Sequence, residues 1–172
     1  MGGVVHLTRR FFGALRPGGT PEADRAWVES VLSEAEYALW RRQYGPDRRH
    51  TAAVAREVQR RLGNEATPPV LAAALLHDIG KIDADLGTWG RVVATLSATV
   101  AGRDTAMLWS RSTGFTRRVG LYLQHPAIWA DMLEMAGSDP LTVAWAAEHH
   151  LPPDEWTVDA GVARVLHEVD DD

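Results

Sequence analysis

The sequence predicts an all-α, single-domain protein, and three observations lead there. Every stretch with a regular hydrophobic period repeats at helical spacing, and no run alternates apolar and polar residues long enough to make a strand. The helical stretches are separated by Pro, Gly and capping residues, with no hairpin signals between them. With 172 residues, 45% of them apolar and 24% charged, the chain is sized for one hydrophobic core. A Pro- and Gly-rich stretch over 17–21 marks off an N-terminal arm, residues 1–20, from a helical domain over 21–172.

The elements come in this order. Thr20-Pro21-Glu22 is a helix start, with a capping residue, Pro in the first turn and early acid. The periodic positions Trp27, Val31, Leu32 and Ala35 carry that helix to about Trp40. Gly45-Pro46-Asp47 opens a second helix, which stops at Leu62-Gly63-Asn64. Pro68-Pro69 opens a third, from Val70 to about Ile79. Further helices are expected over 88–101, 104–109 and 115–124, then over 126–136 after a break at His125-Pro126, where proline disfavours helical geometry in its predecessor. Ser138-Asp139-Pro140 caps a helix ending near His149-His150, and a last helix runs from about Asp159 to the end of the chain.

Composition excludes several classes of chemistry. With no cysteine there are no disulfides, thiolate zinc sites, iron–sulfur clusters or thiol nucleophiles. A net charge of -5 argues against nucleic-acid binding driven by bulk attraction, and no apolar run reaches the length of a membrane span. Arg9-Arg10-Phe11-Phe12 looks like a twin-arginine export signal, but the apolar stretch such a signal needs does not come after it, so a cytoplasmic location is expected. Of the 18 basic residues only Lys81 is a lysine.

The third helix is the most informative. Val70-Leu71-Ala72-Ala73-Ala74-Leu75-Leu76 is apolar on every side, which marks a helix buried in the middle of the fold, and it delivers His77 and Asp78 into that interior. A buried carboxylate needs a strong partner, because leaving it alone costs several kcal/mol. The sequence offers Lys81 as a cation nearby; a divalent metal is the direct answer, since Asp and neutral His both ligate one. His50, with Val54 and Val58 at spacings of four, is expected on the core side of the second helix. His125 lies at a helix break and His149-His150 at a helix end, whereas His6 and His167 lack such settings. Any one of these is ordinarily a plain histidine, but together with the His-Asp pair they favour a metal site.

With these residues in place a resemblance becomes specific. His50, then His77-Asp78 within Leu75-Leu76-His77-Asp78-Ile79-Gly80-Lys81, then a distal Asp, resembles the HD-domain superfamily of metal-dependent phosphohydrolases over about residues 45–172. The resemblance implies a helical bundle around a buried metal site with His50, His77, Asp78 and Asp170 as ligands. Its two-metal branch adds a His of an HP turn and a His of an HH pair, which match His125 and His149, and there Asp78 bridges the ions. The resemblance leaves open which member of the His149-His150 pair binds; His149 is taken as the ligand and His150 as a contact to a ligand or to phosphate, with Lys81 as the cation that meets the charge developing on phosphate. Periodicity alone does not separate Asp170 from Asp172, since the two flank the stripe Val162, Val165, Leu166 and Val169 on opposite sides; the family pattern favours Asp170.

The resemblance thus implies a metal-dependent phosphohydrolase with two divalent ions (Fe, Mn, Mg, Co or Ni), cleaving a phosphomonoester or phosphodiester of a phosphorylated small molecule or nucleotide. The chain lacks the GYP string of cyclic-dinucleotide phosphodiesterases, and Pro46 stands where those enzymes have an acidic ligand, which argues against a third metal and that substrate. Two alternatives use the same residues: a mixed-valent di-iron oxygenase, and a non-catalytic module in which metal or nucleotide regulates a partner. Arg48, Arg49, Arg117 and Arg118 are candidate anion contacts. Of the seven Trp, Trp145 and Trp156 are the candidates for lining a pocket, and the others are assigned to the core.

Overall fold

The computed structural model describes residues 19–79 and 125–171, with side chains from Trp129 onward in the second stretch. Within them lie seven α-helices and no strand: α1 (Glu22–Val31), α2 (Glu34–Arg42), α3 (Gly45–Leu62), α4 (Pro68–Leu76), α5 (His125–Met135), α6 (Pro140–Glu148) and α7 (Ala160–Asp171). Most of the N-terminal arm and the helices expected over 88–101, 104–109 and 115–124 lie outside the described residues. No described helix is long and apolar enough to cross a membrane.

The all-apolar helix is the centre of the fold, as its sequence requires. Every residue from Val70 to Leu76 is buried. Helix α4 packs on α3 and α6, with α1 and α2 also against it, while α7 lies on α3 and α5 on α6. The three consecutive alanines let these neighbours approach closely, and Val28, Trp40, Val58, Trp129, Leu133, Trp145 and Leu166 fill the remaining space. Burying one Leu or Val side chain contributes about 1.5–3 kcal/mol, so this cluster supplies most of the drive to fold. Polar ties cross it as well: the Thr142 hydroxyl donates to the Pro69 carbonyl at 3.0 Å, joining α6 to the start of α4.

Helix boundaries obey local chemistry. The single helix expected from Glu22 to Trp40 is two. Leu32 is extended, and Ser33 starts α2 with a capping box in which its hydroxyl accepts from the Glu36 N–H while the Glu36 carboxylate accepts from the Ser33 N–H. Hydrophobic spacing runs straight through this break, so the Ser33-x-x-Glu36 signature is the only sequence signal for it. Nor does Thr20 cap α1, where Pro21 takes the cap position without any side-chain bond. Helix α5 ends in a Schellman turn: Gly137 has φ 74°, its N–H bonds to the Glu134 carbonyl, and the Ser138 N–H reaches Leu133. Asp139 then caps α6 through the Leu141 N–H at 2.9 Å.

Helix α3 ends where expected, at Gly63, with φ 55° and ψ -116°. Only glycine adopts that conformation at ease. A Cβ there would meet nothing within 4 Å, so Gly63→Ala tests backbone strain alone. It is expected to lower stability by about 1–2 kcal/mol in urea denaturation. A change below a few tenths would mean the turn relaxes freely.

Candidate metal centre

Helix α4 stops at Leu76, one residue before the His-Asp pair and three before the expected end; His77 and Asp78 form a turn leading to Ile79. The His77 N–H takes the Ala73 carbonyl at 3.0 Å, and the His77 ring folds back so that Nδ1 lies 3.0 Å from the Ala74 carbonyl. A carbonyl only accepts, so Nδ1 carries a hydrogen and Nε2 is the ring nitrogen turned to the site. That Nε2 faces two carboxylates, Asp170 Oδ1 at 3.4 Å and Asp78 Oδ2 at 3.7 Å. His77 is 2% exposed and Asp78 5%.

From α3, His50 Nε2 approaches Asp170 Oδ1 at 2.8 Å. Asp170 sits in the last turn of α7, where Ala163, Leu166 and Val169 are buried and Val162 and Val165 partly so. The same carboxylate oxygen therefore touches histidines from two other elements. Asp171 is exposed and reaches His167 at 3.3 Å, and Asp172 lies outside the described residues. His50, His77 and Asp78 offer one donor atom each within 4.8 Å of one another, a group that could hold a metal ion.

The donor set fits a divalent cation. Around an ion with bonds of ~2.1 Å, donors sit roughly 3 Å apart when adjacent and ~4.2 Å when opposite, so the observed spacings need little closure. As it stands Asp170 Oδ1 accepts from His50 Nε2–H, and a cation shared by the two groups would take the place of that hydrogen. Three helix C-termini meet here as well: α4 before His77, α6 before His149, and α7 at Asp170. Each brings about half a negative charge, so all three favour a cation.

His149 caps α6, with its ring centroid 5.3 Å from that of His77. Its Nδ1 lies 3.2 Å from both the Trp145 and Ala146 carbonyls, so Nδ1 carries a hydrogen as in His77 and Nε2 points away from the helix end. His150 is exposed, its ring 5.5 Å from that of His149. His125 begins α5, and its side chain lies outside the described residues, as do Lys81, Arg117 and Arg118.

Other expected contacts are placed elsewhere. Arg48 turns towards α2, donating to the Arg41 carbonyl and lying over Trp40, while Arg49 is half-buried on α3. Trp145 is fully buried, so it backs His149 from inside the core at a ring distance of 6.2 Å and does not line an open pocket. Half-buried Trp156 packs edge-on against both Trp145 and His167. Of the tryptophans assigned to the core, Trp40 and Trp129 are fully buried; Trp27 is half-buried under the Arg56 guanidinium, 3.8 Å from its ring, and Trp89 and Trp109 lie outside the described residues.

Two polar residues near the centre are not foreseen by the sequence. Glu148 is 6% exposed and accepts from the Thr157 N–H, the Thr157 hydroxyl and the Val158 N–H, so it fastens the loop that leads on from His149. Its position beside the His149-His150 pair is the one signal for it. Buried Gln43 donates to the Leu75 carbonyl, and nothing in its sequence surroundings announces that role.

No family model, curated protein or solved structure matches the chain.

Proposed function

We propose that the protein is a cytoplasmic metal-dependent phosphohydrolase of the HD-domain kind, acting on a phosphomonoester or phosphodiester of nucleotide-like character. One observation carries the proposal. The histidines and aspartates of the H…HD…D pattern, far apart in sequence, come together from α3, the end of α4 and α7, with Asp170 Oδ1 in reach of both His50 and His77. A chance HD dipeptide has no reason to gather the other two members of the pattern.

His50, His77, Asp78 and Asp170 would hold the first ion, with His149, His125 and a shared Asp78 at the second. Bound there, a divalent metal supplies an acidified water and positive charge for phosphate oxygens. The chain itself sets up the rest. The Ala74 carbonyl keeps the His77 proton on Nδ1, and the Trp145 and Ala146 carbonyls do the same for His149, so both rings offer Nε2. His150, exposed beside His149, is assigned to the phosphate, and Lys81 to the developing charge.

The test begins with elemental analysis of protein purified without chelator or added metal. It continues with p-nitrophenyl phosphate, bis-p-nitrophenyl phosphate and 5′-nucleotides in Mn(II), Fe(II), Co(II), Ni(II) or Mg(II). The expected result is one to two ions per chain and hydrolysis of at least one ester class that chelator abolishes. Failure to bind any of these metals overturns the metal centre. Tight binding without hydrolysis across the panel overturns the phosphohydrolase and leaves the regulatory module; stoichiometric iron with visible absorption and dioxygen uptake would point to the oxygenase.

A further inference from the structure

Two of the proposed ligands are borne on separate helices: His50 is in the second turn of α3, and His77 comes just after the end of α4. Something must set the distance between them, and apolar packing of Ala and Val surfaces is a blunt instrument for that. A chain of buried hydrogen bonds spans the same gap.

Gln43 comes directly after α2 and is 3% exposed. Its side chain lies 3.1 Å from the Leu75 carbonyl, and because a carbonyl only accepts, the amide Nε2 must face it. The amide Oε1 is then turned to Thr51 Oγ1 at 3.3 Å, so the Thr51 hydroxyl donates to it. Thr51 in turn accepts from the Trp40 indole N–H at 3.1 Å, and both Thr51 and Trp40 are fully buried. The Arg48 carbonyl, 3.4 Å from Thr51 Oγ1, is a second acceptor for that hydroxyl, and the chain runs through the nearer Gln43 oxygen. It starts at Thr51, the residue after His50, and ends at Leu75, two residues before His77.

The end of α4 shows why this bond matters. The His77 N–H closes the last regular helical bond to Ala73, and of the carbonyls beyond it Ala74 is met by the His77 ring and Leu75 by Gln43. Gln43 thus closes the carbonyl immediately upstream of the turn whose other bonds aim the His77 ring. Without it the Leu75 carbonyl would be buried without this donor, and the turn would be free to shift towards another.

We propose that Gln43 is a positioning residue for the metal centre, bridging Thr51 to Leu75 so that His50 and His77 are held at ligating distance. This role rests on the metal centre being a real one. Groups that bond a metal ligand directly alter metal affinity by about 10–100-fold when removed, and Gln43, which acts through the backbone beside the ligands, is placed at the low end of that range.

The experiment compares Mn(II) affinity, by competition with a fluorescent chelator, with urea stability measured in excess chelator. Gln43→Met keeps the length and apolar stem but removes both hydrogen bonds. It is expected to weaken Mn(II) binding at least 10-fold. Thr51→Val, which breaks the other end of the bridge, is expected to weaken it in the same direction and stands in should Gln43→Met not fold. Val28→Ala, a core cavity on α1, serves as the control: it lowers metal-free stability yet leaves the Mn(II) dissociation constant within twofold, so a loss of affinity cannot be put down to general loosening. If the wild-type chain does not bind Mn(II) or another divalent ion, the metal centre itself fails. If the wild type binds and folded Gln43→Met or Thr51→Val binds equally well, the metal centre stands and the positioning role is overturned.

Discussion

Asp78→Asn is expected to abolish metal-dependent hydrolysis, by a factor of a thousand or more, and with it the stabilisation that metal confers. The second effect has a calculable size. A ligand that binds only the folded state at a thousand times its dissociation constant adds about 4 kcal/mol. For a chain of this length that is roughly 8–16 °C in melting temperature, at 2–4 °C per kcal/mol. Asparagine keeps the shape of Asp78 and one acceptor oxygen but loses the charge that a divalent ion needs. In chelator the variant is expected to retain the wild-type helix content, because it relieves the crowding of two carboxylates around His77 Nε2, 3.4 and 3.7 Å away. Scanning calorimetry with Mn(II) and with chelator checks both halves. A variant whose melting temperature still rises by the wild-type amount would remove Asp78 as a ligand, and no adjustment of the remaining donors would rescue its assignment.

The parts of this site legible in the sequence are those whose chemistry conflicts with their surroundings. An apolar helix ending in His77-Asp78 calls for charge compensation in the interior, and both residues are buried. His50 can be placed by its spacing to Val54 and Val58, which are buried one and two turns on. Asp170 cannot be separated from Asp172 by periodicity, because at the end of a helix either flank of the stripe is open to solvent or to a neighbour. Only the approach of α3 and the α4 turn brings Asp170 to His50 and His77. The different settings of His149 and His150 are equally hidden. It depends on the ring of His149 folding back over its own helix end, a choice made by two free carbonyls.

Polar residues that work by bonding to backbone leave no pattern at all. The Gln43 partner is a carbonyl 32 positions away, and any residue type has a carbonyl, so no pairing of side chains in the sequence points to it. The break between α1 and α2 is hidden for the opposite reason. Its capping signature is present, but Val31 and Leu32 continue the helical period across it, and that longer pattern masks a single cap.

Glu148 offers the other large effect, this time on folding. It occupies the last position of α6, where the helix dipole disfavours an anion, so its presence calls for compensation. Three donors supply it: the Thr157 and Val158 N–H groups to Oε1 and the Thr157 hydroxyl to Oε2, each at 2.9 Å. Hydrogen bonds to a charged group contribute about 1.5–3 kcal/mol, and a buried donor left unsatisfied costs about 1–3 kcal/mol. Thr157 is exposed enough for water to replace the carboxylate, whereas the Val158 N–H is buried and has no such recourse. Glu148→Ala is therefore expected to lose about 3 kcal/mol, or roughly 6–12 °C. Glu148→Gln separates charge from geometry. Its carbonyl oxygen can still accept both N–H groups, and its amide can donate to the Thr157 hydroxyl in place of accepting from it, so the loss should be near ~1 kcal/mol. The loop so fastened runs from His149 through Trp156, whose indole N–H closes on the Leu151 carbonyl at 3.0 Å and whose ring packs against Trp145. Loosening it is expected to raise tryptophan quenching by acrylamide before the global transition, in Glu148→Ala but not in Glu148→Gln. Equal stability of the alanine and glutamine variants would show that the three bonds add nothing beyond filling space, and the loop would then be held by Trp156 packing alone.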